Sequence, residues 1–160
     1  MKFSIIMVFI LGVACQGQKQ DSGKTETVSK DTKAVAVSDS IVCDTEVCLQ
    51  LLNHDASSQT FEIYMLNSVP VAGFQCDLPG INITRSDGGL LKANGYQTSN
   101  SAARILSFSM QGNLIPVGEG VLTTVYYSNP TTEVCMTEII FAGFGGSKLT
   151  NDAPECMKLN

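Results

Sequence analysis

Short stretches of alternating apolar and polar residues dominate the chain after Cys43. In residues 60–66, for example, Phe61, Ile63 and Met65 fall on one side of an extended chain. This period-two alternation is typical of β-strands with one buried face. Similar segments occur at residues 74–78, 81–83, 106–110 and 121–127, and short apolar runs occur at residues 48–52 and 139–141.

Turn-forming residues separate these segments. Gly, Pro, Asn, Asp and Ser cluster between them, and no segment predicts a helix longer than one or two turns. About eight short strands with frequent turns predict an all-β fold, an antiparallel β-sandwich over residues 43–160.

The N-terminus predicts export. After Lys2, residues 3–13 are uncharged and mostly apolar. This run is shorter than the ~20 residues that span a bilayer, and it has the length of a signal-peptide core. It ends in Val13-Ala14-Cys15, which resembles a bacterial lipobox, so we expect residues 1–14 to be a signal peptide and Cys15 to be lipidated. The alternative is an ordinary signal peptide cut near Ala14.

Residues 15–42 are predicted to be a lipid anchor followed by a flexible, disordered linker. They contain no aromatic residue and no apolar periodicity, so they cannot bury enough surface to offset the entropy of ordering. About 25 flexible residues reach on the order of 25–30 Å. We therefore expect a membrane-anchored lipoprotein, at the cell surface or in the periplasm.

The charge balance argues against nucleic acid as a partner. From Cys43 onward the chain has five Lys and Arg against eleven Asp and Glu. Nucleic-acid binding depends on basic residues that neutralise phosphates.

Five cysteines follow the proposed anchor, and disulfides can persist in an exported protein. Because five is odd, at least one thiol stays unpaired or pairs between molecules. We predict a bridge between Cys135 and Cys156, whose segments should be neighbours, and a local bridge between Cys43 and Cys48. Cys76 alternates with apolar residues and is predicted to be a buried thiol. The alternative is that all five are free.

The sequence offers little for catalysis, metal or cofactor binding. His54 is the one histidine, and residues 52–57 are interpreted as a hairpin loop. No nucleophile elbow, phosphate-binding loop or metalloprotease motif occurs. Only one close Cys pair exists, so a zinc site is not predicted. We expect no enzyme activity, no metal site and no cofactor.

Four stretches in order along the chain resemble cohesin-type domains of the cellulose-binding-like β-sandwich superfamily. They are residues 71–80, 104–109, 116–125 and 139–146, and they include the Gly118-Glu119-Gly120-Val121 turn. The resemblance implies a nine-strand jelly-roll-like sandwich that binds through one flat sheet face and lacks catalysis. Classical cohesins bind dockerin modules.

The resemblance and the alternation together predict a binding face. If residues 74, 76 and 78 point inward, Gln75 and Asp77 point outward. The same interpretation places Leu106, Phe108 and Met110 inside, and the resemblance implies that residues 104–109 and 121–127 form strands neighbouring this one. The predicted partner-binding residues are therefore Gln75, Asp77, Ile105, Ser107, Ser109, Leu122, Thr124 and Tyr126. The alternative is that Leu122 and Tyr126 are covered by the linker or a loop.

Two functions are compatible with this sequence. The first is a non-catalytic lipoprotein that displays a cohesin-like module to a protein partner, either dockerin-like or another exported protein. The second is a carbohydrate-binding module for polysaccharide. The chain has no Trp, and its four Tyr do not line one strand, so a planar cellulose-type platform is not predicted.

Overall fold

The computed structural model describes residues 43–160. The predicted signal peptide at residues 1–14, the predicted anchor Cys15 and the predicted linker up to residue 42 lie outside the described residues. In chain order the elements are β1 (Val47–Asp55), β2 (Thr60–Asn67), β3 (Gly73–Asp77), β4 (Asn82–Asp87), α1 (Gly89–Ala93), β5 (Gln97–Asn100), β6 (Arg104–Phe108), β7 (Gly118–Ser128), β8 (Glu133–Val134), β9 (Thr137–Ala142), a 3₁₀ turn (Phe144–Gly146), β10 (Lys148–Leu149), β11 (Asn151–Asp152) and β12 (Met157–Lys158).

Most strands belong to two sheets. The first sheet has the order β11-β1-β2-β7-β4, and the second sheet has the order β10-β9-β3-β6-β5. All neighbours are antiparallel except β1 and β11. Side chains from both sheets form one buried core, so the predicted antiparallel β-sandwich is confirmed. The two sheets hold five strands each, and β8 and β12 form a separate two-stranded ribbon.

The predicted alternation of β2 and β3 is confirmed. Phe61, Ile63 and Met65 are fully buried on β2, and the residues between them are half-buried. On β3 the buried pair is Phe74 and Cys76. Each strand thus presents one apolar face to the core, which stabilises the fold by roughly 1.5–3 kcal/mol for each large apolar side chain.

The predicted disulfides are both present. Cys43 is bonded to Cys48, and Cys135 is bonded to Cys156. The second bridge lies beside the β8–β12 ribbon, in which Val134 pairs with Met157, so the expected proximity of these segments is confirmed. Two disulfides in one small domain are typical of proteins in an oxidising compartment.

Cys76 is the one cysteine without a bridge among residues 43–160, and it is buried. Burial raises the pKa of its thiol above the usual range. The thiol therefore stays protonated and contributes to the core as a small apolar group.

The short helix α1 connects the first sheet to the second. It follows β4 and leads into β5, and Leu91 anchors it in the core. Gly89 has a φ of 62°, and a Cβ there would collide with the carbonyl oxygen of Val121. Only glycine fits this close approach between α1 and β7. No helix within residues 43–160 is long and apolar enough to cross a membrane.

His54 lies in β1 and not in a loop, which corrects the interpretation of residues 52–57. Its Nε2 lies 2.7 Å from the hydroxyl of Tyr127, and the two rings are stacked with centroids 6.2 Å apart. Tyr127 is 3% exposed. A buried hydroxyl needs a hydrogen-bond partner, and the half-buried His54 supplies it. This contact gives His54 a structural role.

Candidate partner-binding surface

Strand β6 alternates in the sense opposite to the prediction. Ile105 and Ser107 are fully buried, whereas Leu106 is 41% exposed and Phe108 is 39% exposed. Met110, just past the strand, is 65% exposed. The assignment of Ile105 and Ser107 to an outward binding face was wrong.

The register between β3 and β6 gives the physical reason. Ile105 pairs with Cys76, and Ser107 pairs with Phe74. Directly opposed residues in an antiparallel pair share one face of the sheet, so Ile105 and Ser107 must join the core. The buried Ser107 hydroxyl lies 2.9 Å from the Thr98 hydroxyl, which satisfies its hydrogen bonding.

The prediction that Leu122, Thr124 and Tyr126 on β7 share a binding face with β3 was also wrong, for two reasons. Strand β7 belongs to the first sheet, whereas β3 and β6 belong to the second. In addition, a bulge opposite Ile63 and Tyr64 turns Leu122 inward, and Leu122 is fully buried. A β-bulge inserts one residue and shifts the alternation beyond it.

Thr124 and Tyr126 lie half-buried on β7, in the other sheet from β3. The guanidinium of Arg85 lies 3.9 Å from the centroid of the Tyr126 ring. Such a cation–π contact holds the ring against its own sheet. The eight predicted residues therefore do not form one patch.

The outer face of the second sheet carries an apolar patch instead. In one row across the sheet, Gln75 pairs with Leu106 on one side and with Ile140 on the other. In the next row, Gly73 pairs with Phe108 and with Ala142. Ile140 is 43% exposed. We call the set Leu106, Phe108, Ile140, Gln75, Gly73 and Ala142 the apolar patch.

Two more exposed apolar residues follow the strands that form the patch. Strands β6 and β9 both run antiparallel to β3, so they run in the same direction and finish at the same end of the sheet. Met110 follows β6, and Phe144, which is 82% exposed, follows β9. Met110 and Phe144 therefore add exposed apolar surface at the end of the sheet where these two strands finish.

An ion pair borders the patch on the side of the Asp77 end of β3. The Asp77 carboxylate accepts two hydrogen bonds from Arg104, at 2.5 Å from Nε and 2.7 Å from the second nitrogen. This hydrogen bonding lowers the pKa of Asp77 and raises the pKa of Arg104. Exposed pairs contribute little to stability, so the pair mainly fixes the geometry of the rim.

Of the predicted binding residues, Gln75 lies within the patch and Asp77 lies at its rim. Ser109 is half-buried, and its hydroxyl accepts hydrogen bonds from the backbone N–H groups of Gln111 and Asn113 at 3.2 and 3.0 Å. This hydroxyl is therefore used by the turn after β6.

The prediction missed Leu106, Phe108 and Ile140. One signal was available in the sequence. Residues 139–141 are all apolar, and an alternating strand cannot turn three consecutive side chains to the same face. At least one of them had to point outward, as Ile140 does.

Other clusters within residues 43–160 offer less. Glu133, Cys135 and Cys156 bring three potential metal ligands together, but the two sulfurs are bonded to each other and cannot act as thiolates. A cavity of about 160 Å³ between β4, α1 and β5 is lined by Asp87 and Lys92. These two residues form an ion pair at 3.1 Å, so each already neutralises the other.

Comparisons with known proteins give only distant similarity. No family model and no curated protein match this sequence. A chain from the crystal structure of the CaDoc0917–CaCohA2 complex at pH 5.5 is 12% identical, with a TM-score of 0.48, over 71% of this chain and 99% of that one. A non-cellulosomal cohesin from the hyperthermophilic archaeon Archaeoglobus fulgidus is 14% identical, with a TM-score of 0.44, over 70% of this chain and 86% of that one.

Proposed function

We propose that residues 43–160 form a non-catalytic protein-interaction module, and that the apolar patch is its binding surface. One observation carries the proposal. On β6 two large apolar side chains, Leu106 and Phe108, face outward, while Ile105 and the small polar Ser107 face the core. A strand that served stability alone would have the opposite pattern, and such departures from folding rules are expected at functional positions.

The patch has the properties of a protein interface. Apolar residues from neighbouring strands are gathered on one face of the sheet, and gathered apolar residues mark recognition sites more than scattered ones do. The large apolar side chains Leu106 and Ile140 flank Gln75, and a fixed ion pair lies at the rim. A mainly apolar surface with a charged border is common at protein–protein interfaces.

The proposal includes display at a membrane. The two disulfides fit an exported protein, and Cys15 follows a signal-like segment. A lipid on Cys15 would anchor the chain, and residues 16–42 would separate the module from the membrane. Replacing Cys15 with Ser should release the protein from the membrane fraction. Retention of the variant in that fraction would refute the anchor.

The binding surface is tested by capture with matched variants. The full chain is immobilised and exposed to the secreted and surface proteins of the source organism, and the captured proteins are identified by mass spectrometry. The variant Leu106→Glu/Ile140→Glu should capture at least about tenfold less of the partner, since it places two charges in the interface centre. The control Tyr126→Ala, which alters the other sheet, should capture as much as the wild type.

Two outcomes would contradict the proposal. Loss of capture by Tyr126→Ala together with normal capture by the charged variant would assign binding to the first sheet. Binding of the chain to a glycan array, unaffected by Leu106→Glu/Ile140→Glu, would favour the carbohydrate-binding alternative. Urea unfolding of each variant serves as the control that tests whether the fold is retained.

A further inference from the structure

Gly73 occupies an unusual position in the apolar patch. It opens β3, which is the central strand of the second sheet, and it pairs with Phe108 and Ala142. Glycine weakens a strand, because it contributes no side chain to packing and loses more conformational freedom on folding than other residues. A glycine at this position therefore needs a reason.

Neither the backbone nor the packing provides that reason. The φ of Gly73 lies outside the left-handed region that favours glycine. A Cβ added to Gly73 would lie 3.6 Å from the Cβ of Ala142 and 3.7 Å from the carbonyl oxygen of Ser107. These are ordinary van der Waals distances, so an alanine would fit without strain.

The space above Gly73 is also not filled by its cross-strand neighbour. An aromatic ring opposite a glycine can fold over it and replace the missing side chain. Within the described residues, no atom of Phe108 lies within 4 Å of the Cβ position of Gly73. Gly73 is half-buried and adds no side chain between its pair partners Phe108 and Ala142, with Gln75 next along β3 on the same face. We call this gap of one side chain the Gly73 depression.

We propose that the Gly73 depression receives an uncharged apolar side chain of the partner protein, flanked in the partner by Lys or Arg. This inference rests on the proposed function of the apolar patch. The residues that border the Gly73 depression are apolar or neutral, and the charges of Asp77 and Arg104 at the rim of the patch neutralise each other. The domain carries eleven acidic against five basic residues, so basic residues around the inserted side chain complement it.

The test uses a named probe, a phage-displayed library of random 12-residue peptides panned against the immobilised full chain. Enriched peptides should share an apolar residue next to Lys or Arg. Filling the depression with Gly73→Val should weaken their binding by at least about tenfold, and Gly73→Ala by a smaller factor. The control Ser99→Val places the same valine side chain on β5, in the row of Leu106, and should change affinity by less than about twofold.

Thermal unfolding of each variant separates lost binding from lost folding. Gly73→Ala should melt at the wild-type temperature or a few degrees higher, since it removes chain entropy from the unfolded state. Normal peptide binding by Gly73→Val, together with lost binding by Leu106→Glu/Ile140→Glu, would refute the role of the Gly73 depression and still support the apolar patch as the binding surface. Peptide binding unaffected by either variant would overturn both proposals.

Discussion

The two disulfides close loops of different length, and this difference predicts how much each one stabilises the domain. Cys135 and Cys156 are separated by 21 positions, and Cys43 and Cys48 by 5. A bridge stabilises by restricting the unfolded chain, and the restriction grows with the logarithm of loop length. The chain-entropy relation gives about 3 kcal/mol for the longer loop and about 2 kcal/mol for the shorter one.

Urea unfolding of two double variants measures these contributions. Cys135→Ala/Cys156→Ala removes the long loop, and Cys43→Ala/Cys48→Ala removes the short one. Each variant keeps the other bridge, so adding a reductant to it opens a single known disulfide without deleting a side chain. The loss of unfolding free energy on reduction should be about 3 kcal/mol when only Cys135–Cys156 remains and about 2 kcal/mol when only Cys43–Cys48 remains.

The reasoning fails if the order is reversed. A larger loss on opening Cys43–Cys48 would mean that native contacts near β1, and not unfolded-state entropy, determine the effect. A loss below about 1 kcal/mol for Cys135–Cys156 would mean that the unfolded chain is already restricted in this region.

Three further predictions follow from burial and charge. Ile105→Ala should lower the unfolding free energy by about 2–5 kcal/mol, whereas Leu106→Ala on the outer face should change it by less than about 1 kcal/mol; a larger loss for Leu106→Ala in urea titrations would contradict the orientation of β6. The hydrogen bonding from Arg104 lowers the pKa of Asp77. The stabilisation that this ion pair contributes is therefore present above about pH 4 and is lost as the pH falls further. The variant Asp77→Asn should make the urea midpoint less sensitive to acid, and an unchanged acid response would refute this. Burial raises the pKa of Cys76, so maleimide should label it only after unfolding, as mass spectrometry would show; rapid labelling of the native protein would contradict its burial.

The sequence predicts the parts of this fold where local pattern and tertiary environment agree. In β2, Phe61, Ile63 and Met65 alternate with Glu62 and Tyr64, and these three apolar residues face the core, so alternation alone gives their orientation. The odd number of cysteines and the alternation around Cys76 predict which thiol is left unpaired. These features depend on residues close together in the chain.

The apolar patch that we propose as the binding surface could not be predicted in the same way, because it depends on contacts between distant segments. The register that pairs Ser107 with Phe74 decides the orientation of β6, and it overrides the higher hydrophobicity of Leu106 and Phe108. The bulge in β7 changes which side chains are inward, and no local sequence pattern reveals it. The placement of β7 in the other sheet is a property of the whole topology.

Strand β5 has a consequence for the solubility of the protein. It is a short edge strand of four polar residues, Gln97–Asn100, and it covers the free edge of β6. Without it, the backbone of β6 would be exposed beside Leu106 and Phe108, a combination of open hydrogen-bonding edge and apolar surface that promotes aggregation between chains. Because β5 is short and polar, it ends the sheet and offers little to a second molecule. These four residues therefore shield the backbone of β6 from edge-to-edge pairing while Leu106 and Phe108 stay exposed on the face of the sheet.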